Sequence, residues 1–338
     1  MVRAGMSTAA ASLRVLVTGA SGLLGRAVMQ EFKENPFFRD TTVFGTAFSR
    51  AEGSLLRADL TNPEEIDRLM DEVRPQVVIH AAAERRPDDV ERNPEAAEQL
   101  NVLAPWHLGR AAARLGAWLL VVSTDYVFDG SSPPYSEDAC PRPLNAYGKL
   151  KLRGEFAARA ASESTTVLRL PVLFGPTRNL GESAVTALVA AVRDSQPRTI
   201  DHWAVRFPAY TKDVARAIAS LAERVLADDG PRDSVQTASS RVLSIGLHGI
   251  LHFAAGVSVT KFEQARILAN LLGVSAEHLS PDASPPAGAP RPRDCQLASG
   301  RWDAIGLPDA VQATPLRDAL RETLVAAGED VPEEERTP

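Results

Sequence analysis

Two residues with complementary chemistry, Tyr147 and Lys151, stand four positions apart in a helical pattern. Residues with this spacing share one face of a helix, so the ammonium group can lower the pKa of the phenol by its charge. A phenol with a lowered pKa can exchange a proton with a carbonyl or alcohol oxygen near neutral pH. Thr124 ends an apolar run, and we expect its hydroxyl to hydrogen-bond the same oxygen. The three residues together predict reductase chemistry.

Glycines recur at every third position, Gly19, Gly22 and Gly25, between an apolar run and a helical pattern. We expect the first to allow a tight turn, the second to let the backbone approach a pyrophosphate, and the third to let helix and strand pack closely. The helix N-terminus then offers free N–H groups and a partial positive charge to the anion. Glycine triplets also occur in purely structural turns, but the flanking strand and helix are the context of a dinucleotide-binding loop.

The residues after the second apolar run distinguish the two nicotinamide dinucleotides. A protein that binds NAD usually places an acid here to bind the ribose 2′-hydroxyl, whereas this chain has Phe48, Ser49 and Arg50. A hydroxyl and a guanidinium suit a 2′-phosphate, because arginine can bind two phosphate oxygens at once. The sequence therefore predicts NADP; the alternative is that Arg50 is an ordinary solvated loop residue.

The elements that must position these residues alternate between strand-like runs and helical patterns. The runs are continuously apolar, which is typical of parallel strands covered by helices on both faces, and the alternation predicts an α/β, doubly wound parallel sheet of the Rossmann type. We predict strands at Arg14–Thr18, Val43–Phe48, Val77–His80, Trp118–Ser123 and Thr165–Leu170, and helices at Leu23–Lys33, Glu64–Val73, Glu95–Leu115, Tyr147–Ala161, Ser183–Asp194, Thr211–Ala227 and Thr260–Leu272.

The helical and strand patterns loosen after Pro171. We predict an NADP-binding domain over residues 13–171, to which residues 211–227 return, and a smaller C-terminal cap over residues 172–325 for a substrate or partner. Residues 231–247 show no clear period and are compatible with an inserted loop. The small, polar residues 1–12 and the acidic residues 328–338 are expected to be disordered.

Composition excludes several classes of protein. The 338 residues carry a net charge of -6 with scattered basic residues, which argues against a nucleic-acid partner. No apolar run approaches the ~20 residues of a membrane span, and the first residues lack the apolar segment of a secretory signal. The two cysteines, Cys140 and Cys295, favour a reducing compartment, and no Cys/His cluster has metal-ligand spacing. We expect a cytoplasmic protein without a metal.

The glycine spacing G-x-x-G-x-x-G resembles the extended branch of the short-chain dehydrogenase/reductase superfamily. Within it, Tyr126–Gly130 and Pro143–Tyr147 resemble the dTDP-4-dehydrorhamnose reductase group. The resemblance extends to most of the chain, about residues 13–325. It implies a reductase in which NADPH gives a hydride to a ketone, Tyr147 donates the proton and Thr124 steadies the oxygen.

Four segments resemble instead the family of regulatory β subunits of methionine adenosyltransferase. This resemblance implies a non-catalytic, NADP-binding regulatory subunit of S-adenosylmethionine biosynthesis, whose partner is the methionine adenosyltransferase catalytic subunit. The differences from the reductase sequences fall where a sugar nucleotide would bind, whereas the residues of the cofactor site are retained. The alternative left open is an NADP-dependent reductase of a keto-sugar nucleotide. The four segments are Ala83–Asp88, Gln99–Val102, Asp201–Pro208 and Arg291–Leu297.

The same resemblance implies the cofactor contacts. The β-subunit family also ends in an aromatic and basic tail that contacts the catalytic partner, whereas this sequence ends in Glu333–Pro338. Partner contacts are therefore expected from the cap or the sheet edge. With the glycine loop and the Tyr/Lys pair, the predicted cofactor-binding residues are Gly19, Ser21, Gly22, Leu23, Leu24, Gly25, Phe48, Ser49, Arg50, Asp59, Leu60, Ala81, Arg85, Tyr147, Lys151 and Leu173.

Overall fold

The computed structural model describes residues 13–227 and 237–332. Strands and helices alternate through this part of the chain, as the apolar patterns predict. The strands are β1 (Leu13–Thr18), β2 (Thr41–Ala47), β3 (Leu56–Arg57), β4 (Val77–His80), β5 (Trp118–Thr124), β6 (Thr166–Leu170), β7 (Leu173–Phe174), β8 (Arg198–Asp201), β9 (Ala209–Tyr210), β10 (Gly249–His252) and β11 (Leu279–Asp282). The helices are α1 (Leu23–Glu34), α2 (Pro63–Val73), α3 (Pro87–Arg92), α4 (Pro94–Glu98), α5 (Ala104–Leu115), α6 (Ala146–Ala161), α7 (Leu188–Arg193), α8 (Thr211–Leu226), α9 (Ala238–Ser244), α10 (Lys261–Leu271), α11 (Arg301–Ala304) and α12 (Leu316–Ala326).

Seven of the described strands form one sheet in the order β10-β6-β5-β4-β1-β2-β3. Every pairing in it is parallel. The chain runs outward from β1 through β2 and β3, then returns to β4 on the other side of β1. The order therefore reverses between β1 and β4, and dinucleotides bind at such a reversal, outside the carboxyl ends of the strands. The predicted doubly wound sheet is confirmed.

The two faces of the sheet are covered by different helices. Val15 and Val17 of β1 share one buried cluster with residues of α1 and α8, such as Phe32 and Ile218. Leu16, between those two valines, faces the opposite cluster with α2 and α5. Alternate side chains of one strand thus enter opposite cores, which explains why the strands are apolar throughout.

A third buried cluster lies outside the sheet, in the C-terminal part of the chain. It is built from α7, α10 and α12, with Val189, Leu268 and Leu320 among its fully buried members. The two-stranded pair β8–β11 borders it. The helix α10 begins with a complete capping box, in which Thr260 and Glu263 each bind the other's backbone N–H, and such a box stabilises a helix start. This cluster lies in the part of the chain for which the smaller C-terminal cap is predicted.

The predicted single helix Glu95–Leu115 is wrong, because it is interrupted by a wider, π-helical turn at Gln99–Leu103 between α4 and α5. Pro105 follows this turn, and a proline has no N–H to donate to the carbonyl of residue 101. A π turn inside a helix is frequently found at a functional site. The packing of α6 against this turn is close, since a Cβ at Gly154 would lie 2.1 Å from the Asn101 carbonyl oxygen.

Other differences from the predicted elements are additional or shorter elements: β3 and α3 were not predicted in the first half, and most differences lie in the second half of the chain. The helix predicted over Ser183–Asp194 is shorter, Leu188–Arg193, and neither β10 nor α12 was predicted. Of residues 231–247, part forms α9, and residues 231–236 lie outside the described residues. Residues 1–12 and 333–338 lie outside them too, while the described Glu329 donates its N–H to the Leu324 carbonyl at 3.0 Å.

No helix among residues 13–227 and 237–332 is long and apolar enough to cross a membrane. Within the same ranges, no group of three or more histidine, cysteine or acidic side chains is placed to hold a metal ion.

Candidate dinucleotide and reductase site

The glycine loop begins where β1 ends, and close backbone contacts explain two of its glycines. Gly19 adopts a φ of +69°, and a Cβ there would lie 2.7 Å from the Ala82 amide nitrogen. A Cβ at Gly25 would lie 2.2 Å from the Gly19 carbonyl oxygen. Any side chain at either position would push the loop away from β4 or from α1. Ala81, another predicted cofactor contact, donates its N–H to the Thr18 carbonyl at 3.2 Å.

Gly22 has a different role from the other two glycines. It is the residue before α1, with extended backbone angles and no side-chain cap for the first turn. The first-turn N–H groups of the helix therefore keep hydrogen-bonding capacity toward an anion. A Cβ at Gly22 would lie 3.1 Å from the Gly19 carbonyl oxygen, which is tight. The loop has the shape of a cradle for a pyrophosphate.

The predicted leucine contacts divide into two kinds. Leu24 and Leu60 are each 6% exposed and belong to the two sheet cores, so only their backbone is free to meet a ligand. Leu23 is half-buried, as is Leu173 on β7. Ser21 is buried, and its carbonyl accepts a hydrogen bond from Arg26 at 2.8 Å.

An open cavity of about 490 Å³ lies beyond the ends of β2 and β3. Phe48 and Asp59, both predicted contacts, line it together with Arg57, Glu65 and Arg68. Its position at the end of the second strand suits the adenosine part of a dinucleotide. Sequence analysis missed these two arginines. The one available indication was that Arg57 stands two positions before Asp59, a predicted cofactor contact.

Three arginines around the phosphate loop converge on one acid, Glu182, which sequence analysis also missed. Its carboxylate accepts a hydrogen bond from Arg26 at 2.6 Å and lies 3.4 Å from the Arg50 guanidinium. Its backbone carbonyl accepts a hydrogen bond from Arg85 at 2.7 Å. Burial of Glu182 opposes its ionisation, but Arg26, the backbone N–H of Arg178 and Arg50 hold its pKa below the ordinary value. Arg50 thus already has a carboxylate partner, and the Ser49 beside it is exposed.

Arg85 is held from a second side by its own loop. The preceding residue, Glu84, receives a hydrogen bond from the Asn101 side chain at 2.9 Å and donates its N–H to the same side chain at 3.0 Å. Asn101 lies in the π-helical turn, so the turn anchors the loop that carries Arg85. Burial, with the neighbouring Arg86, lowers the pKa of Arg85.

The predicted catalytic residues meet at the carboxyl end of β5. Thr124 ends that strand, and Tyr147 lies in the first turn of α6. The side chain of Asn145 caps the start of this helix. Burial raises the pKa of Tyr147 above that of an ordinary phenol, while a hydrogen bond with Thr124 and the charge of Arg85 oppose the rise. The expectation that Lys151 lowers this pKa is not met: the Tyr147 hydroxyl stays protonated at neutral pH.

Lys151 is buried beside the same strand. Its ammonium group donates to the Val122 carbonyl at 2.8 Å. Burial lowers its pKa to about 8, against the opposing charge of Glu155. The group therefore remains largely charged at neutral pH, next to the strand end that carries Thr124.

A buried acid, Asp125, lies near Tyr147. Asp125 has its pKa raised to about 6 by burial, with Arg206 and Thr124 opposing the rise. The Arg206 guanidinium lies 5.7 Å from the centre of the Tyr126 ring, within reach of a cation–π contact. The acid and the arginine therefore form the polar wall beside Thr124 and Tyr147.

The four segments that depart from the reductases lie together, and we call them the joined segments. Asn101 of the second binds Glu84 of the first, as described above. Asp88 of the first pairs with Arg291 of the fourth at 2.9 Å. Arg206 of the third donates to the Pro292 carbonyl of the fourth at 3.1 Å. Four stretches distant in sequence are thus connected by polar contacts, of which those of Asn101 and Arg206 are buried and the Asp88–Arg291 pair is partly exposed.

Comparison with known proteins agrees with this geometry. Residues 13–327 match the family model of the RmlD substrate binding domain. The chain is 44% identical to the methionine adenosyltransferase 2 subunit beta of Xenopus tropicalis, over 92% of this chain and 87% of that protein. It is 33% identical to a probable dTDP-4,6-dihydroxy-2-methyloxan-3-one 4-ketoreductase of Streptomyces antibioticus, over 92% of this chain and 94% of that protein.

Among solved structures, the chain resembles a dTDP-4-dehydrorhamnose reductase of Bacillus anthracis in complex with NADP. The TM-score is 0.75 at 23% identity, and the likeness covers 94% of this chain and 99% of that chain. This match shows a shared fold.

Proposed function

This chain belongs to the family of the methionine adenosyltransferase 2 subunit beta, within the RmlD substrate binding domain family, and from that premise we propose that it is a non-catalytic regulatory subunit of methionine adenosyltransferase. The observation that carries the proposal is the 44% identity, which extends over 92% of the chain. In this role the chain binds the catalytic subunit and modulates S-adenosylmethionine synthesis in the cytoplasm.

The cofactor we propose is NADP, held as a structural ligand. The glycine cradle, the uncapped start of α1 and the cavity beside Phe48 fit a dinucleotide, and no acid stands at Phe48–Arg50 to select NAD. A ligand that binds only the folded state stabilises it through mass action. NADP should therefore raise the unfolding temperature more than NAD at equal concentration, measured by thermal denaturation.

We also propose that the cap over residues 172–325 supplies the partner surface and that residues 13–171, with α8, form the cofactor domain. The packing of α8 against α1 in one buried cluster supports this division. The joined segments support a partner surface at the border of the two, because the partly exposed pair of Asp88 and Arg291 links the loop after β4 to the C-terminal part of the chain.

The deciding experiment pairs co-purification with an enzyme assay. The purified chain is mixed with the methionine adenosyltransferase catalytic subunit of the same source at saturating NADP, and complex formation is followed by size-exclusion chromatography. We expect association, altered synthetase kinetics and negligible turnover of a dTDP-4-keto-sugar. Absence of association and of any kinetic change, together with clear keto-sugar turnover, would contradict the regulatory function.

A second candidate function is favoured by the position of Thr124 at the end of β5, close enough to Tyr147 to oppose the rise in its pKa. A phenol held protonated can donate its proton to a carbonyl oxygen, and the Thr124 hydroxyl can orient that oxygen. Lys151 keeps a positive charge beside them, and a bound dinucleotide would supply the hydride. The corresponding activity is the NADP-dependent reduction of a keto-sugar nucleotide, and the same turnover assay tests it.

A further inference from the structure

The exposed cavity between the ends of β2 and β3 holds two guanidinium groups that have no carboxylate partner among the described residues. Arg57 and Arg68 both line it, and neither forms an ion pair within 4.0 Å in the described part of the chain. Arg57 contacts only the face of Phe48, at 5.8 Å from the ring centre. Both guanidinium groups therefore have N–H donors available for an anion.

The two acids of the cavity are engaged elsewhere. The Glu65 carboxylate accepts a hydrogen bond from the Asp59 backbone N–H at 2.8 Å. The Asp59 carboxylate accepts hydrogen bonds from the backbone and hydroxyl of Thr61, at 2.9 and 2.6 Å. Both carboxylates keep their charge, but their hydrogen bonds are made to these local donors, and among the described residues neither forms an ion pair with Arg57 or Arg68.

Strand pairing explains why Arg57 reaches this place. The parallel register sets Arg57 of β3 opposite Ala47 of β2, one residue before Phe48. The Ala58 N–H continues the pairing to the Ala47 carbonyl at 3.1 Å. The guanidinium is thus carried to the end of the second strand, where the adenosine ribose of a dinucleotide lies.

Arg50 offers a different electrostatic environment. It pairs with Glu182, which is already bonded to Arg26. A phosphate monoester carries about 1.5 to 2 negative charges at neutral pH, and part of the charge of Arg50 is compensated before such a group arrives. The free guanidinium at Arg57 suits a dianion better.

We infer that Arg57 is the principal side chain that selects the 2′-phosphate of NADP in this chain, with Arg50 as a secondary contact. The inference rests on the proposed binding of a nicotinamide dinucleotide. It assigns the specificity to the edge strand β3 rather than to the end of β2.

The test is calorimetric titration of the full chain and its Arg57→Ala variant with NADP, NAD, 2′,5′-ADP and 5′-ADP. We expect Arg57→Ala to weaken NADP and 2′,5′-ADP by roughly 10- to 100-fold, the equivalent of one lost charge-assisted hydrogen bond. NAD and 5′-ADP should change less than about twofold, within the scatter of a surface substitution. Arg57→Lys should recover part of the loss, since it keeps the charge without the bidentate geometry.

Two further variants separate the contributions. Arg50→Ala should weaken NADP by a smaller factor than Arg57→Ala, and Arg39→Ala, an exposed arginine outside the cavity, should leave all four affinities unchanged. A larger loss in Arg50→Ala than in Arg57→Ala would overturn the inference, as would equal losses for NADP and NAD in Arg57→Ala. Wild-type protein that binds neither dinucleotide would instead overturn the proposed cofactor, and unchanged unfolding temperatures show that the variants are folded.

Discussion

The dinucleotide end of the site comprises the glycine loop, Glu182 with its three arginines, and the cavity beside Phe48. It differs from the joined segments in how its polar groups are used. At the dinucleotide end, the first turn of α1 has no side-chain cap and Arg57 has no carboxylate partner in the described ranges. In the joined segments, Asp88 pairs with Arg291, and Arg206 binds the Pro292 carbonyl. The first region keeps the α1 N–H groups and Arg57 available for a ligand although Glu182 engages Arg26, Arg50 and Arg85, whereas the contacts named in the second region join its own segments. A chain that binds a cofactor without turning over a sugar would show this contrast.

The largest expected effect is at the phosphate loop. Gly22→Val should nearly abolish dinucleotide binding while leaving the chain folded, because its side chain would hold the pyrophosphate away from α1. Titration with NADP measures the loss. Gly256→Val is the matched control, since a Cβ there meets open space. An unchanged NADP affinity in Gly22→Val would mean that the pyrophosphate does not lie on this loop.

Tyr147→Phe tests whether the site beside the joined segments retains reductase chemistry. On any keto-sugar that the wild type reduces, the variant should lose about 10²- to 10⁴-fold in turnover, the contribution of a positioned proton donor, and keep NADPH binding. Steady-state kinetics and NADPH fluorescence titration give the two readouts. A fully active variant would exclude Tyr147 as the acid.

Glu182→Gln sharpens the comparison within the dinucleotide end. Removing the carboxylate frees Arg26 and Arg50, so NADP should bind a few-fold more tightly while unfolding free energy falls by about 1.5–3 kcal/mol, as for hydrogen bonds to charged groups. The control is Glu52→Gln, whose side chain is 73% exposed. Weaker NADP binding in Glu182→Gln would show that the carboxylate positions the arginines rather than competing for them.

The stability effect of Glu182 has a defined pH dependence. The pKa of Glu182 is lower in the folded chain than its ordinary value, so its contribution is present above that ordinary value and is lost as the pH falls through the folded value. The difference in unfolding free energy between wild type and Glu182→Gln should therefore be full at neutral pH and vanish in acid. Urea denaturation over a pH series measures it, and a difference that persisted at low pH would contradict the electrostatic explanation.

The smallest expected effect is in the joined segments. Arg291→Ala removes a partly exposed pair with Asp88, and such pairs contribute about 0–1 kcal/mol. NADP affinity should not change, because the pair lies outside the dinucleotide end. Association with the synthetase catalytic subunit should weaken, measured by the same chromatography. A change in NADP affinity would show that the two regions are coupled.

Local sequence patterns predicted the fold and the glycine loop well, and non-local contacts account for what they missed. Gly19, Gly22 and Gly25 were assigned from spacing alone because a tight turn depends on neighbouring residues. Glu182 could not be predicted, since its partners Arg26, Arg50 and Arg85 come from three different parts of the chain.

The prediction of a lowered pKa for Tyr147 was wrong for a related reason. The charge of a neighbour four residues away can be read from the sequence, but desolvation depends on what packs around the phenol. The break in the predicted helix Glu95–Leu115 has one cause visible in the sequence, Pro105, and one that is not, the tertiary bonding of Asn101 to Glu84. Arg57 was missed because a two-residue strand gives too short a pattern to recognise.

The contacts of Glu182 also bear on when the site forms during synthesis. Its partners Arg26, Arg50 and Arg85 precede it by 156, 132 and 97 residues. A ribosome releases the chain from its N-terminus, so the glycine loop and these arginines emerge long before the acid that gathers them. Contacts of such long range form late in folding. Until Glu182 is synthesised, Arg26 and Arg50 lack the carboxylate, and Arg85 the backbone carbonyl, that each binds in the folded chain.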